Sequence, residues 1–308
     1  MTMRWSVPWV AYLAVFVGVC GHASSEFVAV LSGLSGPEVS VWRYLLGGGG
    51  LVAWALLTPG SRDLITPLRE RGPTLVALSL SGVSATYLAF HWALDFASVI
   101  QVATMVTTIP IFVGLINLGI NRVPVSAAKW VSGVAAVIGV ALLLTDGAVA
   151  QLAGTGPTLI GVGLALLCAA LGSGYAVLAR PLIGQYGALR ITAITLFIGG
   201  LGLWGFVGLA WGLWVNPLTL FDRPDREAWS LLTIGLWNTT ITQWLWIGGL
   251  AAVPDITRGS SLFFLKPVIA AALALVFLGQ TVTPFQILAI LVICGAVAAE
   301  LVWPEAKG

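Results

Sequence analysis

The chain has 308 residues and a formal net charge of +2, and it is 58% hydrophobic and only 8% charged, with a mean hydropathy of +1.00. Soluble domains carry about 25% charged residues, so a water-soluble globule is excluded, and so weak a positive balance gives no basis for a nucleic-acid partner. The excess apolar surface needs lipid. A helix needs roughly 20 apolar residues to cross the hydrocarbon core, so short loops leave room for about ten spans. Cys20, Cys168 and Cys294 lie far apart inside apolar runs. They form neither a disulfide framework nor a metal-ligand pair, and they read as small packing residues.

The first stretch, MTMRWSVPWVAYLAVFVGVCGHASS, imitates a secretory leader, with a basic start, an apolar middle and small residues at its end. The apolar run continues past Ala23 to Leu31. That is longer than an ordinary leader, so it is taken as a first transmembrane helix over 7–31. Hydropathy then predicts helices over 37–58, 74–94, 97–119, 126–145, 157–180, 190–214, 229–250, 256–279 and 284–303. Two loops carry dense charge, GSRDLITPLRERGP (60–73) and FDRPDREAW (221–229). With the N-terminus inside, Arg4, Arg62, Arg69, Arg71, Arg122, Lys129, Arg180, Arg190, Arg258 and Lys307 fall on or near the inner side. Arg223 and Arg226 fall outside, and Arg43 and Lys266 lie within spans. The positive-inside rule therefore predicts that both termini are cytoplasmic, in a multi-pass protein of the inner (cytoplasmic) membrane.

Residues 92–126 resemble residues 246–284. Each stretch has a short break after one span, then a span interrupted by proline (Pro110, Pro267), then a polar turn before the next span. Asn121 opens the first of these turns and Gln280 the second. A unit of about five spans is odd, so a second copy must be inverted in the bilayer, as in alternating-access carriers. The predicted fold is all-α and integral to the membrane: ten transmembrane helices in two inverted five-helix repeats, residues 1–150 and 151–308.

The stretches ALDFASVIQVATMVTTIPIF, AAKWVSGVAAVIGVALLL and LKPVIAAALALVFLGQTVTPFQILAILVICGAVA carry a likeness, together with the arginine of VWRYLLGG early in the second span. Through them the chain resembles the drug/metabolite transporter superfamily, in particular its EamA-type bacterial branch. The likeness runs over nearly the whole chain and implies export of amino acids or related metabolites, driven by proton exchange or by the substrate gradient. The family often has an acidic residue in the turn after each proline helix, where this chain has Asn121 and Gln280. It often has WG in the first span, where this chain reads GHASSEF. Those departures argue against copying a relative's substrate onto this chain.

Charges inside a bilayer cost about 2.5–3.5 kcal/mol on insertion scales, so such residues face a cavity or a partner. Lys266 lies about ten residues from the inner end of its span, roughly 15 Å deep, too far in for its amine to snorkel. Pro267 behind it opens the helix, which is tolerable against protein or water. Together they predict a cavity-lining helix that offers a cation to a carboxylate, with a buried pair to Glu26 as the competing reading. Glu26 and His22 share a helix face and form a candidate proton-exchanging pair. Arg43, between Trp42 and Tyr44, reads as an interface anchor or a structural partner of Glu26. His91 and Asp95 read as a solvated pair at the outer end of the third span. Asp255 and Arg258 read as an interface or gating pair at the inner mouth. In the eighth span, WNTTITQWLW, Asn238 and Thr242 share a face that suits either helix packing or a cavity. Trp244 or Trp246 is a candidate wall for an apolar substrate part. Gln101 and Thr104 occupy the position that mirrors the lysine helix.

These residues predict a secondary transporter of a small metabolite, with Glu26 taking an ammonium and Lys266 a carboxylate. Organic anions, sugar phosphates and drug-like compounds are alternative cargoes. An intramembrane serine protease is a remote alternative, resting on GLSG (33–36) with Ser35 and on His91. No phosphate loop, metal-ligand motif or cofactor motif occurs in the sequence. The expected partners are a small-molecule substrate and the lipid bilayer, and the expected state is a monomer or homodimer.

Overall fold

The computed structural model describes residues 7–145, 156–278 and 283–302. The expected outer loop at 146–155, the turn bearing Gln280 and the side chain of Glu26 lie outside the described residues. Among the described residues every regular element is helical. The first half holds α1 (Pro8–Ala23), α2 (Ser25–Leu31), α3 (Gly36–Leu57), α4 (Ile65–Ser79), α5 (Thr86–Ala93), α6 (Val99–Val106), α7 (Ile109–Asn121) and α8 (Ala127–Thr145). The second holds α9 (Gly156–Tyr186), α10 (Ala188–Trp211), α11 (Asp225–Leu232), α12 (Thr242–Ala252), α13 (Ile256–Ser261), α14 (Lys266–Leu278) and α15 (Pro284–Val302).

By length and composition, six stretches among the described residues can cross a membrane: Pro8–Leu31, Ile65–Ala93, Gln101–Asn121, Gly156–Tyr186, Ala188–Trp211 and Ile256–Leu273. The molecule is thus an all-helical, multi-pass membrane protein. Helix α3 packs on α10, α8 on α15, α1 on α12 and α5 on α9.

Helix starts follow from sequence. Pro8, Pro37 and Pro110 stand in the first turns of α1, α3 and α7, where a missing N–H costs nothing. Pro110 and Pro267 each lie inside one apolar stretch, Gln101–Asn121 and Ile256–Leu273, directly after a break in it. Thr107 and Thr108 separate α6 from α7 ahead of Pro110. A 3₁₀ stretch, Leu262–Leu265, separates α13 from α14, and Pro267 is the second residue of α14. The breaks are real, but each proline starts a new helix after its break.

Two wide π-helical stretches were not foreseen. Leu80–Ala85 joins α4 to α5, and Thr233–Ile241 joins α11 to α12. Hydroxyls serve carbonyls there: Thr239 Oγ1 donates to Ile234 O (2.7 Å), Thr240 Oγ1 to Gly235 O (3.2 Å) and Ser84 Oγ to Ser79 O (3.4 Å). Each reaches five residues back, matching the spacing of the wide turn.

The glycine runs act at helix contacts. A Cβ on Gly200 would lie 2.6 Å from the Tyr44 carbonyl oxygen, and one on Gly48 2.8 Å from Phe197 Cα. The backbones of α3 and α10 therefore touch, as small residues permit in membranes.

Candidate functional site

A buried cavity lies where both halves meet. Its wall includes His22 of α1, Arg43 of α3, Tyr87 and Phe90 of α5, Gln243 of α12 and Lys266 of α14. Val106 and Ile109 reach it from the α6–α7 break, and Phe263 from the break ahead of α14. The empty volume is about 690 Å³ with its open mouth included.

Lys266 is 4% exposed. Its Nζ lies 5.5 Å from the Phe263 ring centroid and 5.8 Å from that of Phe90. Ring faces attract a cation without cancelling its charge. The 3₁₀ stretch Leu262–Leu265 runs directly into its helix, with the Lys266 N–H donating to Phe263 O.

Of the two roles expected of Arg43, the interface anchor is corrected, and the pairing with Glu26 falls on a side chain outside the described residues. It is 1% exposed, and Trp42 and Tyr44 beside it are fully buried, so it is no interface anchor. Its Nε donates to Thr239 Oγ1 (2.9 Å) and its Nη2 to Asn238 O (3.0 Å), both in the second π-helical stretch. Its Nη1 lies 3.3 Å from His91 Nε2, and His91 Nδ1 lies 2.7 Å from Ser40 Oγ. Arginine can only donate. His91 Nε2 must therefore accept, and Nδ1–H donates to Ser40, which leaves the imidazole neutral. Tyr44 and Tyr87 flank the guanidinium, with ring centroids 5.6 and 5.4 Å from Cζ. Arg43→Ala would leave the Asn238 carbonyl and Thr239 hydroxyl short of a buried donor. The expected loss is about 2–4 kcal/mol, read as a lower thermal midpoint of the purified protein in detergent.

The expected His91–Asp95 pair is absent as such. His91 is buried, while Asp95 accepts from Gly36 N (3.0 Å). Ser35, of the protease reading, sits at the N-cap of α3, and His91 is engaged with Ser40 and Arg43 instead.

His22 is 7% exposed in the cavity wall, edge-on to Trp246 (5.8 Å) and Phe263 (5.6 Å). Its Nε2 has no hydrogen-bond partner among the described residues. Of the residues expected to bind substrate, Lys266 and His22 come together here. The other described ones lie off this cavity. Gln101 forms a capping box with Ser98 at the start of α6. Thr104 is buried outside the wall. Asn238 Nδ2 donates to Gly21 O (2.6 Å) and Ser24 Oγ (2.9 Å). Thr242 packs on Gly21, and Trp244 meets Trp54 at 4.6 Å with the ring planes inclined by 60°. Glu26 lies outside the described side chains.

Tyr87 and Cys168 are site residues that the sequence reading does not single out, and Gln243 belongs to the polar run WNTTITQWLW that it reads as helix packing or cavity lining. Gln243 Nε2 donates to Tyr87 OH, and all three line the cavity. Gln243 follows Thr242 directly, so the polar run was the available signal.

At the other end of the lysine segment, Asp255 pairs with Lys129 of α8, not with the Arg258 side chain as expected. Asp255 also caps α13, accepting from Thr257 N (2.9 Å) and Arg258 N (3.3 Å). Arg180 of α9 donates to the carbonyls of Ala251, Val253 and Pro254. Burial alone would raise the Asp255 carboxyl, but Lys129 and the two N–H groups outweigh it and hold it below the usual carboxylate range. A depressed folded value means a contribution present above the ordinary carboxylate pKa of about 4 and lost as pH falls through the lower folded value. Asp255→Asn is expected to cost about 1–3 kcal/mol near neutrality, between the exposed and buried limits for ion pairs. The gap in thermal midpoint between wild type and D255N should hold above the ordinary carboxylate pKa of about 4 and narrow as pH falls below it.

The sequence matches the EamA-like transporter family over residues 4–145 and 159–299. An uncharacterized transporter of Clostridium kluyveri is 23% identical over 263 residues, covering 84% of this chain and 81% of that protein. A solved crystal structure superposes with a TM-score of 0.78 at 17% identity, covering 95% of this chain and 96% of that one, a likeness of fold. With both halves matched and a buried cavity between apolar helices, the chain belongs to the EamA-like transporter family.

Proposed function

We propose that the chain is a secondary transporter that moves a small carboxylate-bearing metabolite, amino acids and related compounds among them, across the cytoplasmic membrane by alternating access. The proposed topology has ten spans in two inverted five-span halves, with both termini cytoplasmic and export as the direction that the family likeness implies. One observation carries the reading: a broken helix from each half, α6–α7 and α13–α14, ends at the same buried cavity, and the second brings Lys266 to it. Other features fit. The family match falls in two blocks. π-helical stretches stand at corresponding places, 80–85 and 233–241. The contact of α1 with α12 has its counterpart in that of α9 with α5.

Transport then needs an element that opens. Lys129–Asp255 ties α8 of the first half to α13 of the second, and Arg180 holds the segment just before α13. Both ties sit at the inner mouth in the proposed topology, and both must release when the cavity faces the cytoplasm. Saturable counterflow of a radiolabelled amino acid or carboxylate in proteoliposomes tests the function. Non-saturable flux, or none with any small metabolite, overturns it.

A further inference from the structure

We infer that the central cavity selects a net organic anion with a flat apolar body over the zwitterion of the same shape, an inference that rests on the transporter reading above. The argument is one of charge. Arg43 and Lys266 are both almost wholly buried and both line the cavity. The acids near the spans have other work: Glu38 pairs with Arg223, Asp95 accepts from Gly36 and Asp255 pairs with Lys129. Two acids remain within spans: Glu300, close to the C-terminal end of α15, and Glu26 in the first span. With the Glu26 carboxylate charged and close by, two cations against one anion still leave an excess positive charge. A buried cation costs several kcal/mol of desolvation, which a substrate carboxylate offsets. An added ammonium on the substrate would restore the excess.

The walls set the rest of the cargo. Phe90 and Phe263 provide ring surfaces beside Lys266, Trp246 packs on Phe263 at 5.1 Å, and Tyr87 lies beside Arg43. Flat apolar groups pack well on such faces. The His22 Nε2 atom, buried in the same wall without a hydrogen-bond partner among the described residues, can meet a second polar atom of the substrate. A carboxylate joined to a ring meets the cations with one end and the aromatics with the other.

Three probes share one body and differ in charge: 3-phenylpropanoate (anion), phenylalanine (zwitterion) and phenethylamine (cation). Cys168 lines the cavity, so its modification by methyl methanethiosulfonate reports occupancy in the full chain once Cys20 and Cys294 are replaced by serine. The expected result is protection of Cys168 by 3-phenylpropanoate at concentrations at least tenfold lower than by phenylalanine, and none by phenethylamine. Glu26→Gln should leave that order unchanged, and Lys266→Met should remove protection by the anion. Equal or better protection by phenylalanine or phenethylamine overturns the inference, as does undiminished anion protection in K266M. Protection by none of the three also overturns it. The transporter reading falls separately, only if proteoliposomes show no saturable flux of any amino acid or carboxylate.

Discussion

Lys266→Met is expected to lower saturable flux of a carboxylate substrate by about 100-fold, and Lys266→Arg to keep part of it. The lysine is buried at 4% exposure against the rings of Phe90 and Phe263. A substrate carboxylate loses its charge-assisted partner in the methionine variant, and truncating one member of a buried charged pair costs about 2–5 kcal/mol. The arginine keeps charge but not shape. If the lysine were merely structural, the flux lost in each variant would follow its loss of folded protein. Thermal unfolding and counterflow on the same preparation separate the cases.

The second large effect concerns the fold. Gly200→Leu is expected to destabilise the protein by about 3 kcal/mol or more and to abolish a monodisperse peak on size-exclusion chromatography. The Cβ position at Gly200 is 2.6 Å from the Tyr44 carbonyl oxygen and 2.8 Å from its carbon, backbone atoms that cannot swing aside. Pushing α10 away from α3 would also disturb the place where Arg43 enters the cavity. Gly49→Leu and Gly205→Leu are matched controls. A Cβ at either meets nothing within 4 Å, so both should be tolerated. Similar losses in all three would mean that helix propensity or insertion, not backbone contact, sets the effect.

Much of the fold was legible because the bilayer imposes strong rules. A segment must satisfy its own backbone groups, so long apolar runs become helices. The few polar residues within them stand out by their cost. Lys266 and His22 were found this way, and both line the cavity. What hydropathy does not give is which neighbour each helix face meets. Asn238 and Thr242 do share a face, as the period of the helix requires. That face meets Gly21 of α1, while Gln243, one residue on, faces the cavity. Gln101 and Thr104 were placed by analogy with the second half, but Gln101 is spent on a cap. Arg43 misled for a related reason. Its aromatic neighbours signal a membrane interface only when they face outward, and here both are fully buried. The π-helical stretches left no pattern in apolar spacing, since hydroxyl-rich turns in a buried helix read equally well as packing residues. The Asp255–Lys129 pair joins residues 126 positions apart, beyond any local signal.

The central claim is that the cavity bearing Lys266 is the transport path and opens alternately to the two sides. It is tested most directly by a single cysteine at position 266 in a background without Cys20, Cys168 and Cys294, probed with a membrane-impermeant thiosulfonate from each side of oriented vesicles. Reaction from both sides is expected. A disulfide between cysteines at positions 129 and 255 should block the reaction from the side on which those residues lie and spare the other. Reaction from one side regardless of that cross-link, or reaction only with lipid-soluble reagents, would contradict the account.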